Sequence, residues 1–183
     1  MNNDTPKNID IDPSAELSHE NNFIYSSGEL PNVIADRPSA KIVGLLKDVS
    51  FSKCSEQTAL STYLYQSWIT FPQYPNLSRS LEQISMVEMR HLDALAKAIV
   101  TFGGKPNFSN SNGAYWSAAY LNQTSDPLCF LRKNIEAEKH GITKYRDLQN
   151  QITNESLTSL IDRIIADELL HIQVFERYLD TLN

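Results

Sequence analysis

The feature that most constrains this chain is a pair of matched tetrapeptides, "EMRH" at Glu88 to His91 and "ELLH" at Glu168 to His171. Each lies inside a run whose apolar residues recur every three to four positions, the mark of a helix with one buried stripe. In "IIADELLHIQVF" the neighbours of Glu168 and His171 are Ile164, Ile165, Leu169 and Ile172, which form the expected apolar wall around them. Burying a carboxylate and an imidazole in such a wall costs free energy unless each finds a partner. A fold that accepts both tetrapeptides must therefore bring compensating groups from other elements.

The same periodicity predicts where those elements are. From Pro38 a first helix runs through Ile42, Leu45, Leu46 and Val49, with a break near Phe51 at the polar patch 52–55, and resumes through Leu60, Tyr63, Leu64 and Ser67. "FPQYPN" ends it, and Asn76 is placed to cap a second helix through Leu77, Leu81, Ile84, Glu88, His91, Leu95 and Ile99, stopping at Gly103 and Gly104. Residues 103–125 carry too much Gly, Asn and Ser for a regular element but are long enough to run the length of a bundle. Asp126 and Pro127 form a cap and first-turn pair for a third helix through Leu131, Ile135, Glu138, Ile142, Tyr145 and Leu148. Thr153 or Asn154 opens a fourth, through Leu157, Leu160, Ile161, Ile164, Glu168, His171, Phe175 and Tyr178. The expected fold is all-α: a four-helix bundle over residues 38–183, made of two antiparallel helical hairpins joined by a long crossover. Residues 1–37, rich in Asn, Asp, Ser and Pro, read as an arm that is flexible or laid over a neighbour.

Every bundle helix places acid on its inner stripe. The first and third carry one Glu each, followed seven residues later by a Tyr: Glu56 with Tyr63, and Glu138 with Tyr145. The second and fourth carry the Glu-x-x-His pairs. Glu56 and Glu88 are 32 residues apart and Glu138 and Glu168 are 30, so the chain reads as two copies of one hairpin. Residues three apart share a helix face, so each Glu-x-x-His can serve one metal ion or two adjacent ones. Four packed carboxylates without cations would repel and take up protons, whereas two divalent ions balance their charge. A mixed carboxylate and imidazole set suits iron or manganese better than structural zinc. A lone Glu-x-x-His would be weak evidence; two in register with Glu56 and Glu138 make a metal cage the reading of choice.

Other residues carry less. His19 in the arm and His140 on the outer side of the third helix read as solvated, Trp68, Trp116, Met86 and Met89 as packing, and Cys54 as an inert small hydrophobe. Tyr63 and Tyr145 are equally core filler or hydrogen-bond and electron partners of the metals. The net charge of -6 offers no basic stripe for nucleic acid. The two cysteines, Cys54 and Cys129, form no CxxC pair, which excludes a rubredoxin-type iron site within these residues and fits a reducing, cytosolic setting. Neither a signal segment nor a membrane span is visible.

With these motifs, residues from about 40 to 180 resemble the ferritin-like superfamily of di-iron and di-manganese carboxylate proteins, whose sites combine one Glu from each of two helices with a Glu-x-x-His from each of the other two. "SEQTALSTYLYQSW" is similar to the first helix of bacterioferritins and small manganese catalases, and "YWSAAYLNQTSDPLCFLRKNIEAEKHGITKYRDL" to bacterial proteins classed with rubrerythrins or manganese catalases. The resemblance implies two Fe or two Mn ions, one held by Glu56, Glu88 and His91 and the other by Glu138, Glu168 and His171, with Glu88 and Glu168 as bridges. In manganese catalases the matching glutamate is instead a base outside the ligand set, so proton transfer is the alternative role for Glu168. Asp167 is expected to orient His91, and Val87 occupies the corresponding position in the second helix. Peroxide breakdown is the expected activity, by disproportionation or, with an external electron donor, by peroxidase chemistry. Alternatives are ferroxidase and iron storage, dioxygen-dependent oxidation of an organic substrate, and a bundle without turnover. The resemblance also implies a homo-oligomer, a dimer or larger.

Overall fold

A computed structural model describes residues 24–26 and 28–182. Most of the arm, His19 included, lies outside the described residues. Five α-helices occur among those described: α1 (Ala40–Phe51), α2 (Glu56–Thr70), α3 (Pro75–Thr101), α4 (Pro127–Gln149) and α5 (Glu155–Leu182). Helices α2 and α3 form one hairpin and α4 and α5 the other. These four helices are the bundle, and α1 is a separate helix packed across α2, α3 and α4.

The expected break near Phe51 is therefore a complete separation. Ser52 leaves the helical region, and Glu56 becomes the first residue of a new helix. Lys144 of α4 braces the break, its Nζ donating to Asp48 O, Ser52 Oγ and Cys54 O at 3.1, 3.0 and 2.6 Å. Asn76 is not a cap: Tyr74 occupies that position and Pro75 the first turn, where its missing N–H leaves no bond unmade. The other two starts follow the sequence signals. The Asp126 carboxylate accepts from Cys129 N at 3.1 Å, and the Asn154 side chain accepts from Leu157 N at 2.9 Å. Helix α3 stops at Gly103, whose φ of 86° suits a left-handed exit, and at Gly104 a Cβ would meet Val43 of α1 at 2.5 Å.

The crossover contains a single 3-10 turn, Ala118–Tyr120, and is tied to α1 and α2. Ser111 donates through N and Oγ to Asp48, Trp116 Nε1 donates to Thr58 Oγ1 at 2.9 Å, and the Phe108 ring packs 5.1 Å from that of Phe51. Residues 24–26 and 28–35 contact α3 and α5. Ile24 is buried in the core, and Ile34 N donates to Ser156 Oγ at 2.9 Å.

The core is in two apolar compartments. One gathers Leu77, Leu81, Ile84, Phe130, Leu131 and Phe175. The other gathers Leu95, Ile99, Leu148, Leu157, Leu160 and Ile164. In α3 the first set precedes Glu88 and the second follows His91; in α5 the order reverses around Glu168 and His171. The polar residues thus sit at mid-bundle, with a hydrocarbon plug on either side.

Candidate metal centre

All six residues singled out by the helical pattern are buried and meet at this midpoint. One group is Glu56, Glu88, His91 and Glu168; the other is Glu88, Glu138, Glu168 and His171; within each group one ligand atom per residue lies within 4.8 Å of every other. Each helix reaches the centre for a local reason. Glu88 and His91, like Glu168 and His171, stand one turn apart on one face, while Glu56 and Glu138 project from α2 and α4 between them.

His91 Nδ1 faces Glu56 Oε2 at 3.4 Å, Glu88 Oε2 at 3.5 Å and Glu168 Oε1 at 3.4 Å. His171 Nδ1 faces Glu88 Oε1 at 3.0 Å, Glu168 Oε2 at 2.9 Å and Glu138 Oε1 at 3.8 Å. Glu88 and Glu168 therefore each turn one oxygen toward each histidine. The rings of His91 and His171 are 6.2 Å apart.

The surroundings repeat the pairing. The Tyr63 hydroxyl of α2 donates to Glu138 Oε1 of α4 at 2.5 Å, and the Tyr145 hydroxyl of α4 donates to Glu56 Oε1 of α2. Burial, aided by the adjacent carboxylates, pushes both phenols well above their ordinary range, so they stay protonated as donors. One element breaks the symmetry. His91 Nε2 donates to Asp167 Oδ2 at 3.1 Å, which turns Nδ1 toward the carboxylates, while buried His171 Nε2 has no hydrogen-bond partner among the described residues.

Burial and the charges of neighbouring glutamates push Glu88 and Glu138 well above the usual carboxylate range. Burial would also raise Glu168, but hydrogen bonds from His171 and His91 outweigh it and hold this carboxyl well below. Burial would lower His91, yet its bond to Asp167 and the closeness of Glu168, Glu56 and Glu88 hold it well above the usual imidazole value. Glu56 Oε2, both oxygens of Glu88 and His91 Nδ1 are buried without a hydrogen-bond partner among the described residues. Such orphaned acceptors are costly, and a shared cation satisfies them together. The donor set is compatible with a dinuclear site.

A cavity of about 190 Å³ between α2 and α4 reaches the four glutamates and is also lined by Tyr120 and Lys133. Asn134, which also lines it, exchanges two hydrogen bonds with the Gln66 side chain, 3.2 and 2.7 Å, and both residues are buried. Sequence reading missed this amide pair. Its signal was register: Gln66 is one turn beyond Tyr63, and Asn134 one turn before Glu138.

Several expectations are corrected. Trp68, Met86 and Met89, read as packing, are about half exposed or more, at 64%, 49% and 53%. Leu169 is 45% exposed, so the apolar wall beside Glu168 is made by Ile164 and Ile172 with half-buried Ile165. Cys54 is exposed in the break before α2 rather than packed. Trp116 is half-buried and bonded to Thr58, and His140 lies exposed on α4.

With the geometry in place, relatives can be weighed. Residues 54–183 match the model of the ferritin-like domain family. Over 81 residues the chain is 31% identical to a probable manganese catalase of Clostridium acetobutylicum, a match covering 44% of this chain and only 36% of that protein's length. Among solved structures, KatB, a manganese catalase from Anabaena, is similar with a TM-score of 0.79 and 24% identity over 87% of this chain and 80% of that one. The bacterioferritin of Desulfovibrio desulfuricans, described with a diiron site, is similar with a TM-score of 0.63 and 21% identity over 77% and 79%. At these identities the structural likeness establishes the fold. The family match takes in α2 to α5, the four helices that supply all six converging side chains, and this chain belongs to the ferritin-like domain family.

Proposed function

We propose that this protein holds two redox-active ions, iron or manganese, and breaks down hydrogen peroxide. The observation that carries the reading is the convergence of four carboxylates and two histidine Nδ1 atoms on one buried point that a small cavity reaches. Glu56 and His91 would hold one ion, Glu138 and His171 the other, and Glu88 and Glu168 would bridge them. The split of each bridging carboxylate's oxygens between the two histidines supports that division. Two divalent cations would also balance the four glutamates, whose burial otherwise requires proton uptake. When bound, such an ion pair supplies a two-electron couple, so peroxide can act in turn as oxidant and reductant and no external donor is consumed.

The chain's own residues set the conditions. Tyr63 and Tyr145 fix the outer glutamates in position, and the apolar compartments keep water from the rest of the site. A cavity of about 190 Å³ admits peroxide or dioxygen. Glu168 lines it, so the alternative role of proton acceptor is stereochemically open; its approach to both histidines, one oxygen to each, favours the bridge. The names of the curated relative and of KatB support catalase chemistry. Metal analysis of protein purified without added metal, followed by oxygen evolution from peroxide after manganese or iron loading, tests the reading. Catalase turnover absent with both metals overturns it.

Ferroxidase activity is the second reading, favoured by the bacterioferritin likeness. Aerobic addition of ferrous ions separates the two: rapid oxidation with a retained iron core supports storage, and a small particle without a core counts against it. A homo-oligomer is also proposed, since Trp68, Phe71, Met86 and Met89 expose apolar surface on the α2–α3 hairpin. Light scattering tests that.

A further inference from the structure

The residues before α1 reach into the metal centre through its one asymmetric support. Asp167, which accepts from His91 Nε2 at 3.1 Å, is itself held by two groups. Ser26 N donates to Asp167 Oδ1, and Arg163 Nε, one turn earlier on α5, donates to the same oxygen at 3.4 Å. The Arg163 guanidinium also donates to two backbone carbonyls before α1, Ser26 O and, at 3.3 Å, Gly28 O. Just before Ser26 the segment is anchored apart from these polar bonds: Ile24 is buried in the core, and the Arg90 guanidinium lies 5.2 Å from the Tyr25 ring centroid.

We infer that the segment around Ser26 is a positioning element of the centre, fixing Asp167 so that His91 presents Nδ1 to one metal position and leaving the His171 position unsupported. The chain of contacts is short and directional: backbone N–H and guanidinium to carboxylate, carboxylate to imidazole, imidazole to ion. Carboxylates that orient a ligand histidine fix its tautomer and ring plane, and their loss commonly weakens metal binding about 10- to 100-fold. Among the described residues no corresponding carboxylate serves His171, and Val87 stands in α3 where Asp167 stands in α5. The segment lies outside residues 54–183, the stretch that matches the family model.

The inference rests on the dinuclear reading, and the experiment keeps the two apart. Anaerobic cobalt(II) titration of the full-length metal-free protein, followed by its visible absorption, reads each position separately. Wild type binding two ions sustains the metal reading; binding none overturns it before any variant is compared. Ser26→Pro removes the N–H donor and Arg163→Met the guanidinium, and each is expected to weaken one position at least about 10-fold while the other is unchanged. Asp167→Asn should produce the same one-sided loss, and Ser26→Pro added to it should weaken binding no further. Arg163→Lys should recover part of the loss. Unchanged binding in both Ser26→Pro and Arg163→Met, equal weakening of both positions, or full additivity with Asp167→Asn would overturn the inference.

Discussion

The two hairpins of the bundle present the same four groups in the same order, yet they support them differently. The α2–α3 hairpin contributes Glu56, Tyr63, Glu88 and His91, and the α4–α5 hairpin Glu138, Tyr145, Glu168 and His171. Glu56 is the first residue of its helix, where unpaired N–H groups favour a carboxylate, whereas Glu138 sits in mid-helix and burial and neighbouring charge drive its pKa up. His91 rests on Asp167, while His171 Nε2 meets no acceptor among the described residues. Duplicate ligands therefore do not make duplicate sites: helix starts and backing residues set how readily each half holds charge.

The most severe way to break the comparison is to remove what both halves share. Glu88→Ala is expected to abolish binding of both ions and all peroxide turnover, read by metal analysis and oxygen evolution; retention of two metals would refute the bridging role. Acidity should separate the free and loaded protein next. In the metal-free form Glu88, Glu138 and His91 have raised pKa values, so they bind more protons folded than unfolded. Their contribution is present below the ordinary carboxylate and imidazole values and is lost as pH rises through the folded ones. Asp167 and Glu168 act oppositely, losing theirs only as pH falls below the ordinary carboxylate range. Metal-free protein should thus lose stability as pH rises above the ordinary carboxylate and then the ordinary imidazole value, and loaded protein should release metal on acidification as its ligands take up protons. Urea melts at several pH values check the first, and dialysis with metal analysis the second.

Smaller effects sharpen the comparison. Tyr63→Phe bares an acceptor on Glu138 and Tyr145→Phe one on Glu56, and each is expected to cost about 1–3 kcal/mol in denaturant melts of the metal-free protein. Unequal costs would measure how far the mid-helix and helix-start glutamates differ. Gln66→Leu, which strands buried Asn134, should cost about 1–3 kcal/mol, and Gln66→Leu with Asn134→Leu appreciably less, since no polar group is then left unpaired.

The helix stripes, the caps at Asp126 and Asn154 and the six converging residues were legible because each is a local rule: periodicity, side-chain bonds to the first turn, and i, i+3 spacing. Asn76 misled because Pro75 satisfies the first turn equally well and, with Tyr74 in the cap position, starts the helix two residues earlier. Trp68, Met86 and Met89 misled because hydrophobicity favours burial without dictating which face a residue occupies. Gln66 and Asn134 were passed over since each is an unremarkable polar residue alone, and only their pairing across two helices makes burial tolerable.

By itself, the sequence determined that four helices would each turn acid inward and that two imidazoles would join them, because that pattern leaves no other low-energy home for the charges. Only the tertiary structure decided which oxygen faces which histidine, that α1 separates from α2 to place Glu56 at a helix start, and that Ser26 and Arg163 hold Asp167. Those outcomes depend on contacts between residues more than 100 positions apart in the case of Ser26, whose pairing with Asp167 no local spacing encodes.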